Sequence, residues 1–200
     1  LVKPFEPKAL IELVARHATE AGLLEKAATL WGKAGQRSLA RSALIEAAEQ
    51  LMRALGQIAA LPDTPALRRE QIRLQIDLAN ALIHTKGHAA PETKAAFDQA
   101  RALIERSEAL GEAAEDPLLL FSVLYGFWVV NRMAFNSRAV SELAAQFQAL
   151  ADQQRASAPR TIGHLLSGIS LVLTADQASE FLSVWPRILD DGYAAADGAT

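Results

Sequence analysis

Apolar residues recur along this chain at intervals of three and four and almost nowhere in strict alternation, so helices are predicted and strands are not. Pro and Gly cut the pattern into nine short segments at even intervals. The first opens at Pro7, carries Leu10, Leu13, Val14 and His17, and stops at Gly22. The second spans Leu23 to about Ser42, with a bend predicted near Gly32 and Gly35. The third runs from about Ala43 to Ala60, before Leu61-Pro62. Asp63-Thr64-Pro65 predicts a sharp helix start, a capping side chain followed by Pro at the first helical position. That fourth segment reaches Thr85 with Leu67, Leu74, Leu78 and Leu82 on one face, and Gly87 ends it. A fifth runs from Pro91 to about Leu110 and is closed by Gly111. The sixth runs from Pro117 to near Ala134, and the seventh from Ser137 through Leu143, Phe147 and Leu150. Pro159 and Asp176 introduce the last two, and the Ala-, Gly- and Asp-rich end over 192–200 is predicted to fray. Short connections force successive helices into antiparallel hairpins.

Two stretches repeat one pattern. Ala27, Trp31 and Ala34 are small, large and small at steps of four and three, and so are Ala47, Leu51 and Ala54. Looser versions occur at Ala96, Ala100 and Leu103, and at Ala139, Leu143 and Phe147. Such steps put all three positions on one helix face. The small ones let a neighbouring backbone approach, and the large one fills the groove between hairpins. This is similar to the second-helix signature of a tetratricopeptide repeat, although the spacing departs from the usual period. The fold expected is all-α: antiparallel hairpins stacked as a tetratricopeptide-like right-handed superhelix over residues 1–191. The rival expectation is an Ala-rich helical bundle in which the pattern has no such meaning.

Composition narrows the function classes. Half the residues are hydrophobic and 22% are charged, which supplies a core. The net charge is −3 with acids and bases interspersed, and without a basic block nucleic acid is not an expected partner. No Cys is present, which removes disulfides, thiolate metal sites and a Cys nucleophile, and a cytoplasmic location is expected. The most apolar stretch, Leu118 to Val130, is shorter than the roughly 20 residues a spanning helix needs, so a buried helix is expected and a membrane is not. The chain opens on Leu1 without a basic leader and reads as part of a longer polypeptide.

Few residues invite a site. The His residues at 17, 84, 88 and 164 fall into no metal-binding spacing, because Gly87 breaks the helix between His84 and His88; no metal or other cofactor is expected. His17 is expected to pack between hairpins. Glu70, Arg73, Asp77, Asn80 and His84 form a polar stripe on the fourth helix. It is either the lining of a concave binding groove or a solvated face supported by an Arg73–Asp77 pair. Phe121, Tyr125, Trp128 and Arg132 form a second stripe, either an aromatic groove or core. Asp190-Asp191 reads as solvated loop, and no Ser, His and acid arrangement is visible.

One longer likeness adds a context. The run from Ala15 to Ala27, Ala15-Arg16-His17-Ala18-Thr19-Glu20-Ala21-Gly22-Leu23-Leu24-Glu25-Lys26-Ala27, and then Leu30-Trp31-Gly32-Lys33-Ala34-Gly35-Gln36-Arg37, resembles the helical repeat region of bacterial adenylate-cyclase-like signalling ATPases. Leu61-Pro62-Asp63-Thr64-Pro65, Leu74-Gln75-Ile76, the stretch from Thr85 to Glu92 and Gly163 to Leu171 carry the same likeness. In that family a cyclase domain and an AAA-type ATPase precede the repeats. No Gly-x4-Gly-Lys-Ser/Thr loop occurs in this chain, so neither activity is carried over to any residue here. The resemblance implies a non-catalytic module for protein interaction or signal transduction, whose partner is another domain of the parent or a separate signalling protein. If its terminal helices are bare, two copies would pair end to end. The alternative expectation is a small-molecule sensor with an apolar pocket between hairpins near Tyr125 and Trp128.

Overall fold

The computed structural model describes residues 7–112, 117–154 and 157–173, together with residue 186. Among these residues every regular element is helical and no strand occurs. In chain order the helices are α1 (Pro7–Glu20), α2 (Leu24–Ala40), α3 (Leu44–Ile58), α4 (Pro65–Lys86), α5 (Pro91–Ala109), α6 (Pro117–Met133), α7 (Ser137–Gln154) and α8 (Ser157–Leu173). The ninth predicted helix, Asp190-Asp191 and the 192–200 tail lie outside the described residues. Each predicted start and stop through α6, and the start of α7, falls within about two residues of its place, while α7 runs four residues past Leu150. The chain divides after Leu119 into two compact units.

Local chemistry accounts for the boundaries. Thr64 caps α4: its hydroxyl accepts from the Leu67 amide at 3.3 Å, with Pro65 in the first turn. Gly87 ends α4 at φ +100°, a conformation that costs an L side chain steric energy. The buried Thr93 hydroxyl donates to the Gly87 carbonyl at 2.9 Å and ties α5 to that corner.

In the first unit the turns α1–α2 and α2–α3 are copies of one another. Leu23 donates its amide to the Ala18 carbonyl, and Ala43 to the Ser38 carbonyl, both at 2.9 Å. The residue before each takes a left-handed conformation, Gly22 at φ +70° and Ser42 at φ +59°. Ala27 and Ala47 therefore occupy the same place after their turns, and both are fully buried. Trp31, Ala34, Leu51 and Ala54 are buried with them. The two signatures consequently sit on directly paired helices, α2 and α3, rather than on the second helices of separate hairpins.

The predicted bend in α2 does not occur as a break, and its glycines serve packing instead. A Cβ at Gly35 would lie 2.6 Å from the Cγ of Leu51, and one at Gly32 would lie 3.3 Å from the Cδ2 of Leu74. Gly35 thus lets α3 seat Leu51 against bare backbone. Helices also meet across one intervening element. Gln50 on α3 donates to Glu12 on α1 at 2.7 Å, and Gln36 on α2 donates to Asp77 on α4 at 3.2 Å. Within this unit α1 thus reaches α3, and α2 reaches α4.

In the second unit α7 packs on α8, and α6 reaches α7 through Phe121 and α8 through Trp128. The Phe121 and Phe147 rings lie 4.8 Å apart by centroid, and Trp128 Nε1 donates to the Ser170 hydroxyl at 3.0 Å. Gly163 permits the close approach of α8 to α7, since a Cβ there would sit 3.3 Å from the Gln148 Cα. Among the described residues no helix is long and apolar enough to cross a membrane.

Candidate functional site

The polar stripe of α4 splits between two environments. Glu70 and Asp77 are half-buried against α2, whereas Arg73, Asn80 and His84 are exposed. The expected Arg73–Asp77 pair is replaced. Arg73 Nη1 binds Glu70 Oε2 at 3.0 Å, and Asp77 takes its hydrogen bond from Gln36. The cause is that Asp77 points into the α2–α4 seam, where a neutral amide reaches it. Burial pushes the Asp77 carboxyl above the ordinary Asp value, while the Gln36 hydrogen bond and the Arg73 charge pull the other way.

A second polar centre had no visible sequence signal. Arg68, only 3% exposed, is gripped by Glu112 through Nε at 3.2 Å and Nη2 at 2.7 Å, and by Asp63 through Nη1. Asp63 also pairs with Arg106. The hydrogen bond from Arg68 holds the Glu112 carboxyl below the ordinary carboxylate range. Four charges thus clamp the loop before α4 to the end of α5. Every one has an opposite partner, which makes this a structural tie rather than a reactive site.

A third centre lies between α1 and α3. Ser38 donates to Gln50 Oε1 at 2.8 Å, and Gln50 passes the chain on to Glu12. Trp31 Nε1 donates to the Thr19 hydroxyl at 3.1 Å, and the Arg53 guanidinium lies 4.8 Å from the Trp31 ring. A cleft of about 210 Å³ there is lined by Glu12, Arg16, Glu46, Glu49 and Arg53. His17, expected between hairpins, is exposed and paired only with Glu20 at 3.4 Å. It sits on the outer face of α1, one position before the buried Ala18.

The aromatic stripe of α6 is divided in the opposite sense. Phe121 and Trp128 are buried, Arg132 is half-buried, and Tyr125 keeps 49% of its surface in water. The Tyr125 and Trp128 rings stack with centroids 6.4 Å apart, and the Arg132 guanidinium lies 5.6 Å from the Trp128 ring. Across from them α8 presents Ile162 and Leu165, both over 40% exposed, and Ile169. These faces border a groove of about 430 Å³. Phe121 and Trp128 are therefore largely core and reach the groove only at their edges, and Tyr125 stands open beside it.

Among the described residues no three His, Asp or Glu side chains converge where a metal ion could sit. No family model matches the chain, and no curated protein or solved structure matches it either.

Proposed function

We propose that this chain is a non-catalytic helical repeat module that binds protein, and that its hairpins stack as a tetratricopeptide-like right-handed superhelix. The observation that carries this reading is the meeting of α2 with α4 across α3, through Gly32, Leu74, Gln36 and Asp77. A solenoid needs such contacts between alternate helices, and it exposes an extended face as a result. Trp31, Ala34 and Gly35 on α2, followed by Ala47 and Leu51 on α3, support it further. They follow the Trp-x2-Leu-Gly and Ala-x3-Phe steps of a tetratricopeptide unit, with Ala34 and Leu51 in place of Leu and Phe.

The string resemblance supports a place in a bacterial cyclase- or ATPase-type signalling protein, in the cytoplasm. The partner would be another domain of that parent or a separate signalling protein, not nucleic acid or a membrane. End-to-end pairing of copies through exposed repeat ends belongs to the same reading. The exposed α4 residues Arg73, Asn80 and His84 are the surface that a partner would meet. Cross-linking of this chain with the separately purified cyclase and ATPase domains of the parent tests the proposal. A saturable complex is expected, weakened about tenfold by Arg73→Glu with Asn80→Lys, a loss of about 1.4 kcal/mol. Absence of a complex with either domain, together with retention of no protein from a lysate, would contradict it.

A second reading, a small-molecule sensor, is favoured by one observation: the open apolar groove beside Tyr125 and Trp128. Its size is in the range of small-ligand sites, and apolar walls with few polar groups are their usual lining. A ligand selective for the folded state would raise the unfolding temperature.

A further inference from the structure

We infer that the α6–α8 groove takes a small amphipathic carboxylate, its acyl chain laid along the aromatic stripe and its head group on Arg132; this deepens the sensor reading and depends on it. The groove walls are aromatic and aliphatic, with Phe121, Tyr125 and Trp128 on one side and Ile162, Leu165 and Ile169 on the other. Among the described residues Arg132 is the one charged side chain in that lining, which holds no carboxylate. Its guanidinium is held over the Trp128 ring, which leaves the edge of the fork for a planar anion. Trp128 is itself fixed by its hydrogen bond to Ser170, whose hydroxyl in turn donates to the Leu166 carbonyl at 2.7 Å. The cation therefore stands on a rigid base rather than on a free side chain.

Length agrees with this occupant. From Phe121 to Arg132 the helix axis advances about 16 Å at 1.5 Å per residue, enough for a medium-length acyl chain ending at the guanidinium. Three side chains along that path, Tyr125, Ile162 and Leu165, keep 49%, 42% and 44% of their surface in water, and an acyl chain would cover them. A single positive charge at the end of an apolar trough selects for one anionic head on an apolar body.

Isothermal titration of the full chain with decanoate and with decanol, both below their aggregation concentrations, tests the assignment. Decanoate is expected to bind saturably and about tenfold more tightly than decanol, the ratio a charge-assisted bidentate contact gives. Arg132→Gln should remove that preference and leave decanol affinity unchanged, and Arg132→Lys should restore part of it. Ile162→Ser with Leu165→Ser should weaken both ligands, with unchanged helical circular dichroism showing that the fold persists. Equal affinity of wild type for the two ligands, or a preference that survives Arg132→Gln, overturns the carboxylate assignment while leaving an apolar site. Binding of neither ligand overturns the assignment and the sensor reading together.

Discussion

The two units treat their even-numbered helices in opposite ways. Between α2 and α4 the seam is closed: Gly32 admits the fully buried Leu74, and Gln36 satisfies Asp77. Between α6 and α8 the helices meet at Trp128 and Ser170 but leave a trough beside that contact, where Tyr125, Ile162 and Leu165 remain wet. The difference follows from side-chain size. Where one helix offers Gly at the contact, the facing helix can close on it. Where both offer aromatics and branched aliphatics, a trough is left. In the stacked array proposed above, closed seams would set the shape and open ones would leave room for a ligand.

The widest expected gap separates two leucines. Leu74→Ala should cost roughly 2–5 kcal/mol, because it empties a closed seam. Leu165→Ala on α8, already 44% exposed, should cost less than about 1 kcal/mol. Urea unfolding of the two variants measures both, and equal losses would erase the distinction between the units. Overpacking comes next: Ala47→Leu should cost roughly 1–3 kcal/mol, since the site is fully buried. The glycines of α2 sharpen the point. Gly35→Ala drives a methyl into Leu51 and should destabilise. Gly32→Ala meets only a tight contact with the end of Leu74, so its helix-propensity gain of about 1 kcal/mol offsets most of the strain.

Smaller effects test the turn and the charges. Ser42→Gly relieves a left-handed L residue and should stabilise by about 1 kcal/mol, read as a higher urea midpoint. The acidic groups pull in opposite directions with pH. Glu112 is held below its ordinary value, so its contribution is present above the unfolded value near about 4.3 and is lost as pH falls through the folded value. Asp77 is raised, so its burial costs stability at neutral pH, and that cost is relieved as pH falls through its folded value. Arg68→Met should therefore abolish the acid-side loss due to Glu112. Asp77→Asn should stabilise at pH 7 by a few tenths of a kcal/mol, given the half-exposed site, and flatten the opposing slope. Unfolding curves from pH 3 to 8 separate the two.

Much of the helical layout was legible because Pro and Gly punctuate it. Pro65, Gly87, Pro91 and Gly111 each act on their own backbone, so their meaning is local. The small–large–small steps at Ala27 and Ala47 marked buried faces correctly, since burial of a helix face is also a local pattern. What escaped the sequence depends on residues far apart along the chain. Gly35 looked like a bend because Leu51, which explains it, lies on the next helix. Helical spacing pairs Asp77 with Arg73, whereas the fold brings Gln36 of α2 to it. The Arg68 clamp joins residues 44 apart, and no periodicity announces such a tie. His17 was misplaced by one position on its helix, which is enough to turn a side chain from a contact into water. The aromatic stripe of α6 shows the limit of periodicity most clearly: it places Tyr125 and Trp128 on one side of a helix but not how far the facing helix stands away.

The proposed stacking requires α2 to pass against α4, beyond the intervening α3. Nuclear Overhauser contacts in methyl-labelled protein test it directly. The Gly32 α-protons are expected to show a strong contact with the Leu74 methyls. Contacts confined to sequential pairs, α2 with α3 and α3 with α4, and none from Gly32 to Leu74, would contradict it.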